Sequence, residues 1–240
     1  MSSVVILFII LGVLSAIEAS TSISRKAGYC IDNPSTGFVF QSSLSLVSRA
    51  LMFMFMPLLG YLADKNNLFH SNVELVLLYA FIPLFLFLSY IFRFKIEYLY
   101  AIFLLRMDKV GSFFKKTDIT SLNIINFKLK KHFKRYKKFK KMYIIFLFSY
   151  IPYYASWSII IYLLAEFNES RGMILGLSSV FNGINTIVIT LFIDPKLTQL
   201  GRYNRLIQYI YNDLVLLRFY ASIIGIFVLV IFIGILNAYI

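Results

Sequence analysis

Three sets of polar side chains stand at helical spacing inside apolar runs. Glu18, Ser22 and Arg25 fall at i, i+4 and i+7, with Thr21 beside them. Ser42, Ser45 and Arg49 lie on one face of a second run, and Ser178, Asn182 and Asn185 form a third stripe. Residues so spaced share one side of a helix. Their types suit binding rather than bond-breaking. A guanidinium takes phosphate oxygens in a planar fork, and serine and asparagine side chains can hydrogen-bond sugar hydroxyls. Serine and asparagine alone also serve as hydrogen-bonding glue between helices, at about 0.6–2 kcal/mol each. Glu18 and Arg49 need more explanation. An arginine in mid-membrane costs roughly 2.5–3.5 kcal/mol on insertion scales, so a chain that keeps one turns it toward protein or a water-filled cavity.

Arg49 is the only charged residue of the apolar run 38–62, and at about 1.5 Å per residue it lies about 16 Å in, close to a bilayer midplane. The whole chain has the composition of a membrane protein. Of its 240 residues 60% are hydrophobic and 18% aromatic, and the mean hydropathy is +0.78. The net charge of +13 does not mark a nucleic-acid surface, because the basic residues fall between apolar spans.

About twenty apolar residues cross a bilayer as a helix. Six stretches qualify, at 4–24, 38–62, 73–92, 142–164, 173–193 and 216–238, so an all-α, polytopic fold in a single membrane domain is expected. The segment 96–105 is too short to cross and reads as interfacial. The first stretch reads as a span rather than a signal peptide. Residues 1–7 carry no lysine or arginine, and Leu14 and Ile17 stand where a small residue would precede Ala16 or Ala19. Six spans divide into two sets of three, which would have opposite orientation, as in inverted-repeat transporters.

Most lysines and arginines fall in the connection 93–141, against only Glu97, Asp108 and Asp118. The positive-inside rule makes that loop cytoplasmic and places both termini outside. Arg25, Lys26, Lys196, Arg202, Arg205 and Arg218 then fall on the inner side. Within the loop, residues 128–141 read KLKKHFKRYKKFKK, with Leu129, Phe133 and Tyr136 at helical spacing among lysines. This is the pattern of a helix lying on an anionic leaflet.

No G-x-x-x-x-G-K-[ST] loop and no H-E-x-x-H helix is present. The two histidines, His70 and His132, lie outside the spans, so a serine–histidine relay is not evident. The lone Cys30 excludes an internal disulfide and a cysteine metal cluster. The reading is a non-enzyme without metal or cofactor. Gly172 with Gly176 and Ala221 with Gly225 are spaced for close helix approach. Pro57, Pro83 and Pro152 stand inside spans, where they can kink a helix.

Several blocks resemble the Amj family of bacterial lipid II flippases. They are Ser24-Arg25-Lys26-Ala27-Gly28, Leu44-Ser45-Leu46-Val47-Ser48-Arg49, and Pro57-Leu58-Leu59-Gly60-Tyr61-Leu62-Ala63-Asp64. The later blocks are Arg171-Gly172, Leu177 to Thr186 (LSSVFNGINT), and Thr190-Leu191-Phe192-Ile193-Asp194-Pro195-Lys196, with Gly111-Ser112 in the loop. The resemblance covers most of the chain and is most specific in the asparagine–glycine and aspartate–proline block. It implies a small helical membrane protein of the bacterial inner membrane. Such a protein moves an undecaprenyl-pyrophosphate-linked cell-wall precursor to the outer leaflet. It places Arg25, Arg49, Asn182, Asn185, Asp194 and Pro195 on family motif positions. With Glu18 and Lys26, these give the expected substrate-binding set: Glu18, Arg25, Lys26, Arg49, Asn182, Asn185 and Asp194. The expected partners are that glycolipid and anionic lipid, not nucleic acid. The chain departs from the family pattern in Tyr29 to Asn33, which are less basic, and in Met52 and Phe55, which replace polar residues. Another polyprenyl-linked glycan, such as a surface-polysaccharide unit, fits as well, and so does a scaffold for polysaccharide enzymes.

Overall fold

The computed structural model describes residues 2–65, 68–69, 71–112, 136–201 and 204–239. Among the described residues six helical segments are long and apolar enough to cross a membrane, the architecture of a multi-pass membrane protein. Helices satisfy their backbone polar groups internally, which is what a hydrocarbon environment demands. His70, His132, Arg202 and the basic run up to residue 135 lie outside the described residues.

The first two spans, α1 (Ser2–Cys30) and α2 (Pro34–Asp64), form an antiparallel hairpin. Its turn is made by Asp32 at φ 56° and by Asn33, whose side chain accepts the Thr36 N–H at 3.3 Å. Pro34 then opens α2, where its missing N–H is not needed. The hairpin is tight because Gly28 faces Gly37. A Cβ on Gly28 would stand 2.8 Å from the Gly37 Cα.

The third span is broken into α3 (Asn72–Tyr79) and α4 (Phe81–Ile91) at Ala80. Pro83 explains the break, since proline fits only the first turn of a new helix. After α4 comes α5 (Arg93–Val110), which ends on Gly111 at φ 68°, a left-handed cap that glycine supplies without strain. The remaining elements are α6 (Tyr136–Glu166), α7 (Arg171–Val188), a π-helical turn (Ile189–Ile193), α8 (Asp194–Leu200) and α9 (Asn204–Tyr239). The fifth span, Arg171–Leu200, contains that π turn.

The core lies where α1, α4, α6 and α9 meet. Helices α6 and α9 run parallel and are tied by tyrosines. Tyr143 donates to Asp213 and Tyr162 to Asn237, both at 2.7 Å. Tyr79 donates to the Ser222 carbonyl at 3.0 Å, fixing α3 on α9. Phe55 of α2 packs edge-on against Trp157 of α6, with ring centroids 4.9 Å apart.

All six expected spans are present, but the sixth begins well before residue 216. Its early turns bury Ile207, Ile210, Tyr211, Leu214 and Val215. Polar Asn212, Asp213 and Arg218 hide that stripe from a hydropathy reading. Arg218 is therefore inside a helical span, not in an inner loop. The short segment 96–105 is part of the longer α5, which packs on α1 through Glu97, Ala101 and Leu104. Gly172 and Gly176 have nothing within 4 Å and mark no close approach, whereas Gly225 does, against the Tyr79 hydroxyl. Residues from Tyr136 onward in the basic run belong to α6 rather than to a separate surface helix.

Gly28→Val should therefore lower the thermal stability of the detergent-purified protein, by about 1–3 kcal/mol, as overpacking does. Gly172→Ala should leave the melting curve where it is.

Candidate functional site

The polar stripes of α1, α2 and α7 converge on one cleft of about 460 Å³. Helix α1 supplies Glu18, Thr21, Ser22 and Arg25. Helix α2 supplies Gln41, Ser45, Ser48, Arg49 and Met52 as one wall. The opposite wall is Asn182, Asn185 and Thr186 of α7, then Thr190 and Asp194 beyond it. The floor comes from α6 and α9, with Tyr150, Tyr153, Tyr211 and Arg218. Helices α2 and α7 do not pack on each other to any extent. Arg49, Thr186 and Thr190 are exposed although they lie far from their helix ends. Because the two walls do not close on each other, the cleft is open between α2 and α7.

Depth is equally specific. Glu18, Arg49, Tyr153, Asn185 and Arg218 each sit at or near the middle of their own spans. Arg25 and Asp194 lie one to two turns from the ends of theirs.

The charges are held differently. The Arg25 Nη1 pairs with Asp194 Oδ1 at 2.6 Å, its Nε donates to Gln41, and its guanidinium lies 4.4 Å over the Phe38 ring. This pair joins α1 to α8 just after the π turn, at the end of the cleft that holds the α1–α2 turn. Arg171 of α7 pairs with Asp64 of α2 at 2.8 Å. The first pair belongs to the cleft lining, whereas the second ties α2 to α7 well beyond it. The Glu18 carboxylate accepts hydrogen bonds from Tyr153 and Ser48. It does not pair with Arg25, whose partner is Asp194. Asn185 accepts from Ser149.

Of the seven expected site residues, six line the cleft. Lys26 does not. Its ammonium is 1% exposed and pairs with Glu97 of α5 at 2.5 Å, and Cys30 donates to the same carboxylate at 3.2 Å. Lys26 follows Arg25 by one residue, a turn of 100°, which carries it to the other side of α1. It fastens α5 to α1. Ser42 and Ser178 also stay out of the cleft and bond to their own helices. Phe55 is core, while Met52 does line the path. Reading along the spans missed Gln41, Tyr150, Tyr153 and Arg218. Arg218 had a signal, a charge flanked by apolar residues on both sides, but it fell at the edge of the stretch that hydropathy picks out.

Lys26→Met should leave Glu97 buried without a counter-charge and cost about 3–5 kcal/mol. The double variant Lys26→Met/Glu97→Met should recover most of that, as measured by thermal unfolding. A single variant with wild-type stability would remove the structural role.

No family model, no curated protein and no solved structure matches the chain.

Proposed function

We propose that this protein is a flippase for an undecaprenyl-pyrophosphate-linked cell-wall precursor, a lipid II-like molecule. It carries the precursor from the cytoplasmic to the outer leaflet of the bacterial inner membrane. The observation that carries the reading is Arg49. This guanidinium lies in the middle of its span and is exposed in the cleft between α2 and α7. The walls of its cleft otherwise offer mostly neutral donors and acceptors. Such a groove lets the polyprenyl tail remain in lipid while phosphate and sugars travel through hydrated protein. Serine, threonine and asparagine meet sugar hydroxyls, and arginine meets phosphate. The resemblance of the Arg25, Arg49, Asn182–Asn185 and Asp194–Pro195 blocks to the Amj family supports the same substrate class.

In this reading the Arg25–Asp194 end faces the cytoplasm, together with the basic loop, and both termini are outside. The two halves of three spans correspond in their packing. Helix α1 packs on α2 and α4, and α6 packs on α7 and α9. The second helix of each half, α2 or α7, becomes one wall of the cleft. That arrangement fits inverted repeats moving about a central site. Met52 in the lining favours a second reading, transport of another polyprenyl-linked glycan whose headgroup needs fewer polar contacts.

Arg49→Ala should abolish complementation of a flippase-depleted strain while the protein reaches the membrane at its normal level. Removing a charge-assisted contact typically costs about thirtyfold or more, so leaflet accessibility of reconstituted lipid should fall by at least that factor. Full complementation by Arg49→Ala would remove the midway site.

A further inference from the structure

Arg218 is the most unusual charge in the molecule. It is 6% exposed, in the floor of the cleft. Its guanidinium lies 4.5 Å from the Tyr150 ring centroid and 5.9 Å from that of Phe146. Among the described residues no carboxylate is within ion-pair distance of it, and its buried Nε has no hydrogen-bond partner. Buried donors are nearly always satisfied, and a charged one left alone is the costliest case. Stacking on two aromatic faces orients the guanidinium but leaves the in-plane Nε–H unused.

We infer that Arg218 is a phosphate-binding residue of the cleft, and that with Arg49 it forms a two-point seat for a diphosphate. The inference rests on the transport reading and assigns it a residue. The cleft lining holds three guanidiniums and two carboxylates. Arg25 is neutralised by Asp194, and Glu18, hydrogen-bonded by Tyr153 and Ser48, also attracts Arg218 without pairing with it. Arg49 and Arg218 remain as the two cleft guanidiniums without an ion pair among the described residues. A diphosphate diester carries two negative charges, one on each phosphoryl group. Both residues lie near mid-span, Arg49 on the open wall and Arg218 on the floor. A ligand entering sideways meets Arg49 first and reaches Arg218 only when fully seated. Together the two guanidiniums offer one partner to each phosphoryl group, so the pair favours diphosphate over monophosphate headgroups.

The test is equilibrium binding to the full chain in lipid nanodiscs, with farnesyl diphosphate, farnesyl monophosphate and inorganic diphosphate as probes. The wild type should prefer farnesyl diphosphate to the monophosphate. Arg218→Met should weaken farnesyl diphosphate binding by about thirtyfold or more, the usual cost of losing one charged partner, and should erase the preference. Arg218→Lys, which keeps the charge but loses the planar fork, should fall between them and guards against misfolding of the methionine variant. Inorganic diphosphate that binds as well as the farnesyl probe, and is equally lost in Arg218→Met, would keep the seat and make free diphosphate its source. Undiminished farnesyl diphosphate binding by folded Arg218→Met, with loss in Arg49→Ala, would overturn the role of Arg218 and leave the transport reading standing. A wild type that binds no diphosphate at all would overturn both.

Discussion

A charged side chain in mid-membrane must be solvated by something other than lipid, and the structure is arranged around that requirement. Four cations of the spans meet it in different ways. Lys26 is sealed against Glu97. Arg25 is shared between Asp194 and Gln41. Arg218 leans on aromatic faces, and Arg49 is left at an opening. The sequence Arg25-Lys26 shows how finely this is sorted. Neighbouring residues on one helix face opposite sides, one into a cleft and the other into a sealed contact.

The irregular elements serve the same arrangement. A π turn precedes Asp194, and such turns are frequent at functional sites. Here it rotates the last part of the fifth span so that Asp194 meets Arg25. The break at Ala80 lets Tyr79 bond to the Ser222 carbonyl while α4 packs on α1 and α9. The Gly28–Gly37 contact draws α2 close to α1 at one end. The Arg25–Asp194 pair joins α1 to α8 in the cleft lining, and Asp64–Arg171 ties α2 to α7 beyond it.

Much of this was legible from spacing. The stripes Glu18–Ser22–Arg25, Ser45–Arg49 and Asn182–Asn185 do face one cleft, because helical periodicity fixes direction along one helix. Periodicity does not say which helix lies opposite. Asp194 as the partner of Arg25, and the tyrosines of α6 as partners of Glu18 and Arg218, are set by tertiary packing between residues far apart in the chain. Hydropathy also misplaced the start of α9, since one helix face can be apolar and buried while the other carries Asn212 and Asp213. The glycines gave the opposite lesson. Gly172 and Gly176 have the right spacing for helix contact but face open space, so spacing alone does not make an interface.

The central claim is that the cleft between α2 and α7 is hydrated in a bilayer. Single cysteines introduced into a Cys30→Ser background and probed with a water-soluble maleimide in proteoliposomes test it directly. Ser45→Cys and Thr186→Cys, which line the cleft, should react readily. Leu46→Cys and Ile187→Cys, one residue further round the same helices and outside the cleft lining, should not. Equal inertness at all four positions would mean that lipid or packed protein fills the space, and would contradict a water-filled path.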